Sequence, residues 1–214
     1  LLMIGPPGAG KTMIARAIPS ILPPMTEEEQ MELSRIYSVC GKFGERGRLL
    51  SPRPFRSPHH TITAAGMTGG GSLPVPGEIS LANKGVLFLD ELTEFKKPVI
   101  ETLRQPLEDR RVQISRSSGT FTFPADFVLV AAMNPCDCGY YPDMERCRCT
   151  DAAIARYRSR LSQPMLDRMD LCVEAPAVGH RELTAGGKSE SSVKIRERVM
   201  RVHQIQRERF SGTD

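Results

Sequence analysis

The chain has 214 residues, 40% of them apolar, enough for one large domain with a real core, or for a domain and part of another. Tryptophan is absent and aromatics make up 6%, so that core must rest on Leu, Ile, Val, Met and Ala. A formal charge of +4 is too small an excess to name a partner. No stretch reaches the length of a membrane span, and Leu1-Leu2-Met3-Ile4 lacks the basic flank and longer apolar run of a secretory signal.

Leu1 to Ile4 reads as a strand entered part-way, so a longer parent protein is expected. It runs into Gly5-Pro6-Pro7-Gly8-Ala9-Gly10, after which a helix is predicted from Lys11 to Ile18, ended by Pro19. Thr26 with Glu29 forms a capping box for a helix to about Ser38. Gly41 to Gly85 is rich in Gly and Pro and reads as loops with a hairpin. Val86-Leu87-Phe88-Leu89 is a continuous apolar run, the pattern of a strand buried on both faces, with Asp90 and Glu91 at its end. A helix is expected from Lys97 to Leu107, ended or distorted by Pro106. Val112, Ile114, Phe121 and Phe123 alternate around Ser117-Ser118-Gly119, which predicts a β-hairpin. Phe127 to Met133 is a second buried strand, ending at Asn134. Thr150 caps a helix with Ile154, Tyr157 and Leu161 on one face, Leu171-Cys172-Val173 is a short last strand, Gly186-Gly187 reads as a linker, and Ser192 to Phe210 as a basic helix.

Strands alternating with helices imply an α/β fold with a parallel sheet covered on both faces, and in such sheets the ligand site lies beyond the carboxyl ends of the strands. Gly5, Asp90 and Asn134 each follow a predicted strand directly. Gly5-Pro6-Pro7-Gly8-Ala9-Gly10-Lys11-Thr12 matches G-x-x-x-x-G-K-[ST] with a strand before it and a helix after it. Its glycines let backbone N–H groups curl around phosphate at a helix N-terminus. Lys11 would reach the terminal phosphates of ATP, and Thr12 with Asp90 would serve Mg²⁺. Glu91 would polarise the attacking water, since phosphoryl transfer needs positioning and charge neutralisation more than covalent chemistry. Asn134 is either a turn residue before Pro135 or an amide that bonds both the γ-phosphate and the water.

Gly5 to Thr12, Val86 to Glu91, Met133-Asn134-Pro135 and Leu166-Asp167-Arg168-Met169-Asp170 together resemble an AAA+ ATPase, of the magnesium-chelatase-like branch. Pro54-Phe55-Arg56-Ser57-Pro58-His59-His60-Thr61 and Pro76-Gly77-Glu78-Ile79-Ser80-Leu81-Ala82 are similar to the bacterial ComM/YifB competence proteins of that branch. The resemblance implies a P-loop NTPase three-layer sandwich with a central parallel sheet. Residues 1–177 would be the ATPase core, truncated at its N-terminus, with inserts at about 53–82 and 110–127. Residues 178–214 would be a linker and the start of a helical lid, and with so little of the lid, weak hydrolysis is expected of this chain alone. Arg168 would be an arginine finger given in trans to a neighbour's ATP, with Arg160 the second candidate; read without the resemblance, Arg168 forms a salt bridge with Asp167 or Asp170. The resemblance also implies a self-assembled hexameric ring acting as a helicase on single-stranded or branched DNA; a nucleotide-dependent enzyme is expected where ATP is, in the cytosol, where thiols stay reduced. Arg111 and Arg116 of the hairpin would touch the nucleic-acid backbone, or else are a solvated face. A chelatase-type motor and a non-hydrolysing assembly module are the alternatives.

Cys136, Cys138, Cys147 and Cys149 form two C-x-C pairs. Four thiolates suit a structural zinc site, although each pair is spaced more tightly than the usual two-residue gap, and reduced free thiols are the alternative. His59-His60 carries little weight as a metal pair, because adjacent histidines in a Pro-rich loop seldom point at one ion.

Overall fold

The computed structural model describes residues 1–42, 48–117, 119–177 and 190–211. In chain order its strands are β1 (Leu2–Ile4), β2 (Phe55–Arg56), β3 (Gly69–Gly70), β4 (Val75–Pro76), β5 (Val86–Leu89), β6 (Arg111–Arg116), β7 (Gly119–Pro124), β8 (Val128–Met133) and β9 (Cys172–Glu174). Five of them form one sheet in the order β2-β5-β8-β1-β9, with every pairing parallel. β3–β4 and β6–β7 are separate antiparallel hairpins.

Apolar runs in the central strands have the consequence expected of them. Successive side chains alternate between faces, so Leu87 and Leu89 of β5 join Leu129, Ala131 and Met133 of β8 in the larger core. Val86 and Phe88 join Val130 and Ala132 in the smaller one. On the larger side lie α5 (Lys97–Glu101), α7 (Asp151–Arg158) and α8 (Gln163–Leu166), which supply Val99, Ile100, Tyr157 and Met165. On the other side α1 (Lys11–Ala17) supplies Ala15. The result is a three-layer α/β sandwich. Among the described residues, no helix is long and apolar enough to cross a membrane.

Local signals hold where the cause is local. Thr26 accepts from Glu29 N at 3.2 Å and its own N–H donates to Glu29 Oε2 at 3.0 Å, which opens α2 (Glu27–Val39) with a complete capping box. Thr150 Oγ1 accepts from Ala153 N and opens α7. In the hairpin, Val112 pairs with Phe123 and Ile114 with Phe121, so alternate residues of β6 face the core; residue 118 of the expected turn lies outside the described residues.

Two expectations need correction. The helix over Lys97 to Leu107 is two helices, α5 and α6 (Arg104–Asp109). The break falls before Pro106 because a proline removes the hydrogen bond to the residue four back and its ring crowds that carbonyl, here the carbonyl of Thr102. The insert expected from residue 53 begins instead with β2, an edge strand of the central sheet, because Phe55 pairs with Val86 and stacks on Phe88 at 5.8 Å between ring centroids. After β2 the chain forms α3 (Ala64–Thr68), the β3–β4 hairpin and α4 (Glu78–Leu81). The expected Gly186-Gly187 linker lies outside the described residues. The basic helix is α9 (Ser192–Arg209), which buries no residue and meets the body where Arg196 Nε donates to Ser20 O at 2.7 Å.

Phe88 is fully buried at the centre of the sheet. Phe88→Ala should cost about 3–5 kcal/mol of unfolding free energy, read as a fall in the midpoint of urea denaturation.

Candidate nucleotide site

β1 ends at the sheet's carboxyl edge and the chain enters Gly5 to Gly10, which leads directly into α1. Gly8 and Gly10 take φ of 81° and 76°, a backbone region that side chains other than glycine's rarely enter. This turn places Lys11 at the first position of the helix. Its Nζ donates to Gly5 O at 2.6 Å, Pro6 O at 2.9 Å and Asn134 Oδ1 at 3.2 Å. Burial lowers the Lys11 ammonium from its ordinary value, while the Asp90 carboxylate pulls it back up.

The next residue makes the second long-range link. Thr12 Oγ1 donates to Asp90 Oδ2 at 2.8 Å, across 78 positions of sequence. Asp90 Oδ1 accepts from Glu91 N at 3.0 Å. A hydroxyl and a carboxylate in contact at the mouth of a phosphate loop form a hard-oxygen donor set of the kind Mg²⁺ takes. Glu91 adopts φ 51°, an uncommon conformation for a side chain of this size. Its carboxylate is exposed and lies 3.6 Å from His60 Nδ1. His60 in turn packs beside His59, at 4.0 Å between ring centroids, and edge-on to Phe95.

The structure therefore brings Lys11, Thr12, Asp90 and Asn134 into one hydrogen-bonded group, with Glu91 beside it. It keeps Arg168 away. Arg168 donates to Pro164 O at 2.5 Å and pairs with Glu108, rather than with Asp167 or Asp170. It lines a cavity of about 400 Å³ with Leu1, Val128 and Leu129, at the amino ends of β1 and β8. That is the opposite end of the sheet from the phosphate loop. Its Nε is buried with no hydrogen-bond partner. Arg160 bonds Glu94 at 2.8 Å and Asp137 at 3.3 Å, on the loop side. Arg111 and Arg116 are exposed on their hairpin. Beside the loop opens a cavity of about 1170 Å³, lined in part by Ile4, Pro6, Tyr140, Glu174 and Pro176.

His60, weighed in the sequence only as a metal ligand and a mark of the resemblance, stands beside Glu91. It comes after β2, the strand next to β5, so the rule that places Asp90 at a carboxyl edge also places His60 there; β2 is hidden inside a Pro-rich stretch. Tyr157, expected only in the core, has a second role. Its hydroxyl accepts from Thr93 Oγ1 at 2.7 Å, both side chains buried, and burial raises the phenol above its usual value while the Thr93 bond opposes that. The four clustered cysteines come together in the loop leaving β8, with all Sγ atoms within 4.8 Å of one another. A backbone N–H from Tyr140, helped by the neighbouring thiols, draws Cys138 down to about 6.

Comparison with known proteins adds a family to this geometry. The family model described as magnesium chelatase, subunit ChlI, matches residues 1–183. The competence protein ComM of Haemophilus influenzae is 46% identical over 210 residues, covering 98% of this chain and 41% of ComM. The uncharacterized protein YifB of Salmonella typhimurium is 45% identical over 207 residues, covering 96% of this chain and 40% of YifB. This chain thus spans about two-fifths of the length of these relatives. A crystal structure of NtrX from Brucella abortus in complex with ADP aligns with a TM-score of 0.48 and 18% identity, covering 82% of this chain and 31% of NtrX.

The Thr93–Tyr157 bond ties the turn after Glu91 to α7. Tyr157→Phe leaves the Thr93 hydroxyl buried and unpaired and should cost about 1–3 kcal/mol. Adding Thr93→Val should recover part of that loss, measured as a double-mutant cycle by chemical denaturation.

Proposed function

This chain belongs to the magnesium chelatase, subunit ChlI, family of AAA+ P-loop proteins, and on that premise we propose that it binds ATP with Mg²⁺, hydrolyses it, and serves as the motor domain of a ring that works on DNA. The observation that carries the proposal is the pair of hydrogen bonds from the first turn of α1, Lys11 to Asn134 and Thr12 to Asp90. They bring together Lys11, Thr12, Asp90 and Asn134, the groups to which this reading assigns phosphoryl transfer.

In this reading the backbone N–H groups of Gly5 to Gly10 cradle the phosphates, and the N-terminus of α1 adds its partial positive charge. Lys11 exchanges its loop carbonyls for β- and γ-phosphate oxygens. Thr12 and Asp90 would hold the Mg²⁺, which when bound would neutralise charge on the phosphate oxygens. Glu91 accepts a hydrogen bond from the attacking water and orients it. Asn134 bonds that water and the γ-phosphate. Arg168 sits too far from its own loop to act there, so it serves the ATP of the neighbouring protomer, which makes a ring, of six protomers by the family resemblance, the catalytic unit. DNA is supported as the substrate by the similarity to a competence protein and by the exposed Arg111 and Arg116. The family model itself favours a second reading, a chelatase-type motor that remodels a protein partner.

Hydrolysis by the full-length protein, measured with and without single-stranded and branched DNA, separates these readings. Strong stimulation by DNA supports the DNA motor, DNA-independent turnover transfers the assignment to protein remodelling, and no turnover at all removes the ATPase. Glu91→Gln should keep ATP binding and lose at least about 100-fold in turnover. Asp90→Asn should weaken Mg²⁺ binding in the nucleotide complex by roughly 10–100-fold. Arg168→Ala should lose roughly 10³-fold or more. Mixed with Glu91→Gln chains it should regain activity, because mixed interfaces reunite an intact Glu91 with an intact arginine. No regain on mixing would show that Arg168 does not act in trans.

A further inference from the structure

We propose that Cys136, Cys138, Cys147 and Cys149 bind one structural zinc ion, and that this ion clamps the loop leaving β8 onto the phosphate loop. The sulfur geometry is the first support. Cys136 and Cys138 Sγ lie 3.3 Å apart, Cys136 and Cys147 3.8 Å, and Cys138 and Cys147 3.6 Å, with Cys149 Sγ inside the same 4.8 Å group. Zinc–thiolate bonds of about 2.3 Å in a tetrahedron set the sulfurs about 3.8 Å apart. A disulfide needs about 2.05 Å, and all four thiols are free. Four sulfur ligands close the coordination shell, the arrangement of a structural and not a catalytic ion.

The backbone explains how such tight C-x-C spacing converges. Gly139 N donates to Cys136 O at 3.0 Å, and Gly139 takes φ 84°, so the chain turns back immediately after Cys138. Tyr141 N then donates to Cys136 Sγ at 3.4 Å. Cys136 and Cys147 are buried and pack with Ile154, Tyr140 and Tyr141 in a cluster separate from both main cores. Binding is acid–base chemistry only: each thiol that is still protonated gives up its S–H proton to solvent as its Zn–S bond forms, and nothing is oxidised or reduced.

The position of this knuckle gives it a purpose. A Cβ on Gly139 would lie 2.8 Å from Pro7 Cδ and 3.7 Å from Asn134 Cγ, so the turn between two ligands rests directly on the phosphate loop and on the amide that Lys11 contacts. Asn134 precedes the first ligand by two residues. Cys149, at the other end, precedes Thr150, the cap of α7, whose Tyr157 holds Thr93. A single ion would thus fix Asn134, Pro7 and the start of α7 relative to one another.

Protein purified under reducing conditions without added metal should carry one zinc per chain by elemental mass spectrometry. Zinc-stripped wild-type protein should take up cobalt with the intense visible bands of a tetrahedral thiolate site, a readout that needs no variant. Cys147→Ser with Cys149→Ser should abolish both. After stripping, amide hydrogen exchange in residues 134–141 and 5–10 should speed up at least tenfold and slow again when zinc is restored. Protein that contains no zinc and takes up no cobalt, iron in place of zinc, or zinc retained by the double variant would each overturn the site. Unchanged exchange at 5–10 and 134–141 after stripping would overturn the clamp. None of these readouts involves nucleotide, so they stand or fall independently of the ATPase reading.

Discussion

A parallel sheet covered on both faces leaves polar side chains no place except its ends. β5 is buried along its whole length, and β8 everywhere but its first residue. The first positions after them where charge or an amide can sit are Asp90 and Asn134. Because every strand of the sheet runs the same way, these positions arrive at one edge together with the turn after β1. The contact between residues as distant in sequence as Lys11 and Asn134 results from that constraint, without any special device to bring them together. The same constraint accounts for the buried lysine. An ammonium withdrawn from water needs oxygen acceptors, and the turn offers Gly5 O and Pro6 O while the neighbouring strand offers Asn134 Oδ1.

Features with a local cause are the ones legible in the sequence. The glycines of the phosphate loop, the Thr26–Glu29 capping box, the Thr150 cap and the apolar runs of β5 and β8 each act within a few residues, and each appears in the structure at the expected position. The hairpin is legible for the same reason, since alternation from Val112 to Phe123 is a property of adjacent strands. Pro106 shows the limit of this kind of reading. The proline is recognisable as a disturbance, but its effect falls on the carbonyl four residues earlier, so the helix parts at Thr102 and Leu103.

Non-local pairings carry no such signal. β2 is two residues long and sits among prolines, so no periodicity announces it; its place is set by the stacking of Phe55 on Phe88. Once β2 is in the sheet, His60 reaches Glu91, a contact that spacing in sequence could not suggest. Nothing near Arg168 in sequence identifies Glu108 as its partner, for the pairing joins α6 to the turn after α8. The cysteine pairs stand between these cases. Their number and clustering are visible in the sequence, whereas the convergence of all four sulfurs depends on the reversal at Gly139 and on the packing of Tyr140, Tyr141 and Ile154 around them.

The surroundings of Arg168 bear on why one protomer would be insufficient. An arginine kept for stability alone gains most when every N–H is paired, since a buried unpaired donor costs about 1–3 kcal/mol. Arg168 instead buries Nε without a partner while its other nitrogens contact Pro164 and Glu108. That arrangement holds the guanidinium at the amino end of the sheet, away from its own phosphate loop, and leaves part of its bonding capacity unused. In the proposed ring, a neighbour's γ-phosphate supplies several charged acceptors at once, where the single chain offers one carboxylate and one neutral carbonyl, and bonds to charged groups are roughly twice as strong as neutral ones. Exchange of Glu108 for phosphate would then occur only when ATP stands at the interface, so the pairing that idles the arginine in a single chain would couple subunit contact to hydrolysis.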